Sequence, residues 1–291
     1  MARTHEHSHG DLFHEWSPLS DALPIGYCYY KGCHAPLSTL GRGGNVNLPG
    51  FFIAENGEYA IMQKRNKNFS REGAMNESSR QNKTAWEFNA YDFWVQQNGL
   101  PWQLAEKIRQ DPVKPLGKYA EYFGSVQGLR IANICGSCGK KAVPLALLGA
   151  EVTVFDISRE NARYATELAE AAGVILQYEV CDVLEIDGEK YGGYFDVVFM
   201  EGGILHYFQD IDAFMKGMHA LLKPGGKMIC SDFHPLTKVM DVLHFQRPAV
   251  GYFSTDILEG EMPHAKFYEE EKRKTFPKCR LRLYTLSEIL K

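Results

Sequence analysis

No apolar run in the chain approaches the ~20 residues that a membrane-spanning helix needs. A charge excess is missing too. The 32 Lys and Arg against 36 Asp and Glu leave a formal net charge of -4, too weak a field to mark a nucleic-acid or anionic-membrane partner. The N-terminus is His-rich rather than basic and then apolar, so it lacks the form of a secretory leader. Seven cysteines, an odd number scattered over the chain, fit reduced thiols better than a disulfide framework. No internal repeat is visible. These absences point to a cytoplasmic protein, and 45% hydrophobic residues over 291 positions are ample for one sizeable core.

What is present falls into three stretches. Residues 1–82 read as an irregular extension, with one β-hairpin signal at 51–62, where Asn56-Gly57 separates two short apolar runs. Residues 83–128 read as helical. Thr84 and Glu87 have the spacing of a capping box, "WEFNAYDFWVQQ" runs to an Asn98-Gly99 stop, and Pro101 opens a second helix. From residue 129 to 291 short apolar strands alternate with amphipathic helices, one of them beginning after Ser158 and another at Asp210. That alternation predicts a doubly wound, mostly parallel α/β sheet of Rossmann-like form. An aromatic- and charge-rich insertion, 236–284, follows the fifth strand.

Ligands of such sheets bind at the carboxyl ends of the strands. After the first strand, "NICGSCGKK" supplies Gly136 and Gly139 for a sharp turn that approaches a ligand closely. The next strand ends in Asp156, placed to accept from both hydroxyls of a ribose. The dinucleotide fingerprint G-x-G-x-x-G is absent, and on these features alone a nicotinamide dinucleotide and S-adenosylmethionine stay equally open. "VCDV" then puts Asp182 at the end of the third strand, suited to an adenine amine. "FDVVFMEGGILHYF" ends the fourth with Glu201 and two glycines, and "LLKPGGKMICSDFHP" leads through Pro-Gly-Gly into the fifth.

With "DIS", "CDV", "FDVVFMEGGILHYF" and "LLKPGGK" in that order, residues 83–291 resemble the class I S-adenosylmethionine-dependent methyltransferase family, most closely its small-molecule branch, with residues 83–128 as a lid. The resemblance implies methyl transfer from S-adenosylmethionine to a small-molecule acceptor. It assigns Asn133, Gly136 and Gly139 to the methionine portion, Asp156 to the ribose and Asp182 to the adenine. Cys135, Ser137, Ile157, Val183, Glu201 and Tyr91 also belong to the cofactor site. The family's first loop reads acid, then G-x-G-x-G. Here the corresponding positions are Asn133, Cys135, Ser137 and Gly139, with Gly136 as an extra flexible point. A neutral Asn133 loses the charge-assisted bond to the methionine ammonium, worth ~1 kcal/mol.

An in-line displacement from a sulfonium needs alignment and exclusion of water first, and a base only if the acceptor must lose a proton early. The candidate bases are Glu201, His206 and His234, with packing and turn roles as the alternatives for the histidines. Two rival functions remain: an NAD(P)-dependent oxidoreductase, and a methyltransferase-like binding module without turnover. Cys135-x-x-Cys138 has redox or half-zinc spacing but no second pair, and the N-terminal histidines with Cys28, Cys33 and His34 match no zinc pattern, so no metal is expected. Finally, Thr285 and Glu288 form a capping box just before the last residue, Lys291. The C-terminal hairpin of a class I sheet is therefore expected to be missing, leaving the fifth strand as an open edge. A chain cut short explains this better than an N-terminal hairpin standing in.

Overall fold

The structure is a computed structural model and describes residues 28–30, 75–236 and 251–291. The expected hairpin at 51–62, the N-terminal histidines, Cys33 and His34 lie outside the described residues.

Six strands form the main sheet: β1 (Cys28–Tyr30), β2 (Arg130–Ile134), β3 (Glu151–Asp156), β4 (Gln177–Val180), β5 (Phe195–Glu201) and β6 (Leu222–Ser231). Their order is β1-β6-β5-β2-β3-β4. Strands β2 to β6 are mutually parallel, as the alternating pattern predicts. Alternate residues of β5 feed two cores on opposite faces. Val197 and Phe199 join Leu116, Phe123, Leu145 and Val154, whereas Val198 and Met200 join Phe155, Phe214 and Met218. A strand stretch buried on both faces must be apolar throughout, which is why Val197–Met200 of β5 read as an unbroken run.

Two expectations are corrected here. The outer edge of the fifth parallel strand is not open, because β1 pairs with it antiparallel, Cys28 opposite Cys230 and Tyr30 opposite Met228. The partner comes from the N-terminal extension, but from a stretch other than 51–62. The Pro-Gly-Gly segment is also not a turn ahead of the strand. β5 pairs Phe195 with Leu222 and then Val197 with Lys227, so Lys223–Gly226 bulges out of β6 itself.

The helical segment also differs from its sequence pattern. Helix α1 (Glu77–Glu87) starts earlier than Thr84, capped by Asn76, whose Oδ1 accepts from Ser79 N at 2.8 Å. Thr84 lies inside it and donates to the Arg80 carbonyl, while Glu87 takes a bond from Lys83, so the supposed capping box is not one. Asn89 adopts a left-handed φ of 53° and separates α1 from α2 (Ala90–Asn98), where one continuous helix was expected. Gly99 ends α2 and Pro101 opens α3 (Pro101–Gln110) as read from the sequence. The remaining helices are α4 (Ala120–Phe123), α5 (Ala142–Leu147), α6 (Arg159–Ala172), α7 (Gly188–Tyr191), α8 (Ile211–Ala220), α9 (Glu270–Arg273) and α10 (Leu286–Leu290). Ser158 caps α6, Asp210 caps α8, and the Thr285–Glu288 capping box on α10 is formed.

Beyond β6 the chain builds a separate antiparallel pair, β7 (Ile257–Gly260) with β8 (Cys279–Arg282). It packs on α1 through Ala85, Met262, Ala265, Phe276 and Cys279. Asn82 Nδ2 donates to the Arg280 carbonyl and its Oδ1 accepts from Arg280 N, so α1 is stitched to β8 by a reciprocal bond.

Candidate cofactor and acceptor site

The chain leaves β2 for β3 and β4 on one side, while β5 and β6 lie on the other, so the loop after β2 sits at the point where strand order reverses. A crevice forms at such a point. The loop hugs the sheet: Cys135 N donates to the Phe155 carbonyl at 2.7 Å. Cys135, Ser137 and Gly139 all adopt positive φ, 51°, 51° and 76°. These are the positions where the resemblance pattern carries glycine, and the backbone shows why: only glycine adopts that conformation freely. Cysteine and serine each hold it at a cost of about 1–2 kcal/mol, and strain of this kind gathers at functional sites. Gly136 is required for a different reason. A Cβ there would lie 2.6 Å from Asn133 Oδ1 and 2.7 Å from Val154 Cγ1.

Asp156, at the tip of β3, organises the crevice. Its Oδ1 accepts from Ser158 N at 2.9 Å and Asn161 Nδ2 at 3.2 Å, and its Oδ2 from Ser137 N at 3.0 Å. A carboxylate offers about four acceptor positions, and these bonds occupy most of them, leaving fewer than the two that accepting from both ribose hydroxyls would need. Burial nevertheless raises its pKa against these bonds and the Ile157 backbone N–H. A carboxylate kept at such a desolvation cost is a functional-site signature. Trp94 of α2 extends the network, its Nε1 donating to Asn161 Oδ1 at 2.8 Å.

Asp182 follows β4 and is buried, its Oδ1 accepting from Leu184 N at 3.0 Å. Asp156 and Asp182 both flank Cys135: burial first, then these two carboxylates, push its thiol well above the ordinary range. Cys138 is pushed up to about 12 by burial and faces a different cluster, between α3 and α6. The Cys-x-x-Cys thiols are therefore protonated and not directed at each other. Tyr178 OH donates to the Ser137 carbonyl, fixing the loop from beneath. Two buried polar atoms of the cradle, Asn133 Oδ1 and Ser137 Oγ, have no hydrogen-bond partner among the described residues.

The other sequence candidates are placed less uniformly. Ile157 presents its carbonyl to Lys83 Nζ at 3.0 Å, tying α1 to the edge, and Val183 is buried in the core. Glu201 ends β5 and pairs with Lys141 at 3.8 Å, whose ammonium is lowered in pKa chiefly by burial. His206 is buried beside Tyr207, ring centroids 4.2 Å apart. His234 Nδ1 accepts from Leu236 N at 3.2 Å, which is the turn role. Tyr91 is carried away from the loop: its hydroxyl donates to Glu167, in the middle of α6, under the Arg163 guanidinium.

Three site residues escaped the sequence reading. Asp232, just after β6, accepts from Ile204 N at 2.7 Å and Leu205 N at 2.9 Å, and so shapes the loop after Glu201. An Asp inside a strand-end string already flagged was the available signal. Trp86 stands edge-on to Tyr207 at 5.7 Å and to His264 at 5.6 Å. His264 itself lies 170 positions from Trp94 and 178 from Trp86 in sequence, and no local pattern points to it.

Residues 134–230 match the family model described as a methyltransferase domain. Curated relatives named ubiquinone biosynthesis O-methyltransferase include those of Roseobacter denitrificans, 35% identical over 162 residues (52% of this chain, 63% of the relative), and Cereibacter sphaeroides, 38% over 133 residues (44% and 48%). That of Methylocella silvestris is 33% identical over 114 residues, 39% of this chain and 43% of the relative. The chain thus spans about half the length of the curated relatives it matches. Among solved structures, an S-adenosylmethionine-dependent methyltransferase from Mesorhizobium loti aligns with a TM-score of 0.44 at 19% identity, covering 60% of this chain and 77% of that one. One described as putative from Listeria monocytogenes gives 0.47 at 17%, covering 61% and 80%.

Proposed function

We propose, from the match of residues 134–230 to a methyltransferase domain, that the protein transfers a methyl group from S-adenosylmethionine to an oxygen of a small-molecule acceptor. The observation that carries this reading is the placement of Asp156 and Asp182 after adjacent strands, both beside the strained Cys135–Gly139 loop. Two carboxylates one strand apart match the sugar and the base of one nucleoside. The orphaned Asn133 Oδ1 and Ser137 Oγ are polar atoms that a bound ligand would satisfy.

S-adenosylmethionine supplies an electrophilic methyl on a sulfonium when bound. Asp156 Oδ2 accepts from a ribose hydroxyl, and Asp182 keeps its Oδ2 for the adenine amine. Lys141 and Glu201 stand beside the loop as the opposite charges that a zwitterionic amino-acid group requires. α1 and α2 cover the crevice and exclude water, held there by Lys83 on Ile157 and Trp94 on Asn161. The oxygen acceptor comes from the curated relatives, whose names specify O-methylation.

Titration calorimetry with S-adenosylhomocysteine, and separately with NAD, tests the cofactor. Binding of the first but not the second is expected; the reverse result overturns the reading. A product-release assay on hydroxyl, amine, thiol and carboxyl acceptors then separates an enzyme from a binding module, which would take up the nucleoside and release no product.

A further inference from the structure

The register of β1 against β6 sets Cys28 directly opposite Cys230. Directly opposite residues of an antiparallel pair have Cα atoms about 4.5–5.5 Å apart. A disulfide needs a Cα separation of about 4.4–6.8 Å, so the backbone already holds these two positions at bonding distance. β1 ends the sheet order, which makes this the outermost rung of the sheet. Cys230 is half-buried there, at the margin of the main core.

The other described cysteines are arranged differently. Cys135 and Cys181 follow β2 and β4 with β3 between them, and two strand spacings amount to about 10 Å, beyond the reach of a disulfide. Cys138 and Cys279 are buried in separate clusters. Burial pushes Cys138, Cys181 and Cys279 up to about 12 and Cys135 well above the ordinary range. Thiol exchange needs the thiolate, so these four are inert at neutral pH.

We propose that Cys28 and Cys230 form an oxidisable pair that closes to a cross-strand disulfide and latches β1 onto β6. The inference is independent of the methyltransferase reading. The oxidant is a low-molecular-weight disulfide of the glutathione type. One protein thiolate attacks it, forming a mixed disulfide and releasing one small thiol. The second protein thiolate then attacks the mixed disulfide, making the Cys28–Cys230 bond and releasing the other small thiol. Two protein thiols are oxidised, and their two electrons and two protons leave on the reduced glutathione. The new bond joins positions about two hundred residues apart, and closing so long a loop restricts the unfolded chain strongly. Two residues beyond Cys230, Asp232 accepts from Ile204 N and Leu205 N. The latch thus braces the strand end that shapes the loop after Glu201.

The test uses the full chain, treated with glutathione disulfide or with dithiothreitol, alkylated and digested with trypsin. Cleavage after Lys31 separates Cys28 from Cys33, and the peptide from Met228 to Lys238 carries Cys230 alone. The oxidised sample should yield these two peptides joined and lighter by two hydrogen atoms, and dithiothreitol should part them. Oxidation should raise the thermal midpoint of wild type by about 10 °C. Cys28→Ser and Cys230→Ser should each abolish that rise, whereas Cys33→Ser should keep it. The wild-type comparison stands even if a variant does not fold. A link from Cys230 to any other cysteine, a glutathione adduct that never resolves, or an unchanged midpoint would overturn the proposal.

Discussion

The polar atoms around Asp156 and the rings around His264 are two buried environments built from different materials. Asp156 is held by Ser137, Ser158 and Asn161, the last two within five positions of it. Its environment is a local device of turn amides and one side chain. His264 is held by Trp86, Phe93 and Trp94 from α1 and α2 and by Phe276, through ring contacts alone. Local hydrogen bonds specify a position to a few tenths of an ångström, which a shared cofactor needs. Aromatic surfaces gathered from distant segments can be re-lined with little change to the backbone.

The largest expected effect falls on the local side. Asp156→Ala should weaken S-adenosylhomocysteine binding by about 2–3 kcal/mol, roughly a hundredfold in Kd by calorimetry. Unchanged affinity would mean that the carboxylate serves only the loop. The aromatic side should show itself in acid. Burial moves His264 from 6.5 to about 4, so between those values the unfolded chain takes up a proton that the folded chain refuses. Stability is full above pH 6.5 and falls as pH drops toward 4, by about 3 kcal/mol. Denaturant titrations at several pH values should find that this portion of the acid slope disappears in His264→Phe.

Smaller effects sharpen the picture of the loop. Gly136→Ala forces a methyl against Asn133 and Val154 and should cost about 1–3 kcal/mol of stability, read by denaturant midpoint. Ser137→Gly should act in the other direction. It relieves a left-handed serine and removes an unpartnered hydroxyl, raising stability by about 0.5–1 kcal/mol despite the greater freedom of the unfolded chain. A loss of stability on that change would show that the strain is not where φ places it.

Legibility in the sequence divided along the same line. The strands β2 to β6, the caps at Ser158 and Asp210 and the strand-end Asp156 and Asp182 could all be read, because each depends on residues within a few positions of one another. The left-handed backbone at Cys135 and Ser137 could not, since neither residue type announces it. Thr84 and Glu87 misled because the cap three-residue spacing also occurs inside a helix, and Asn76 competed successfully for the start. Tyr91 misled through its neighbour: Trp94, three positions on, does reach the Asp156 network, but Tyr91 turns toward Glu167 instead. The cage of His264 was out of reach, being made of residues that only tertiary packing brings together.

One feature of the sheet bears on how the chain can be handled. Cys28–Tyr30 zips onto Met228–Cys230, joining positions about two hundred residues apart, the slowest kind of contact for a polypeptide to find. During synthesis this N-terminal strip must wait, unmatched, until nearly the whole of its partner domain has emerged. Trimming the first thirty residues to tidy an expression plasmid would bare a row of backbone donors and acceptors on β6, and molecules could then stick to one another flank to flank.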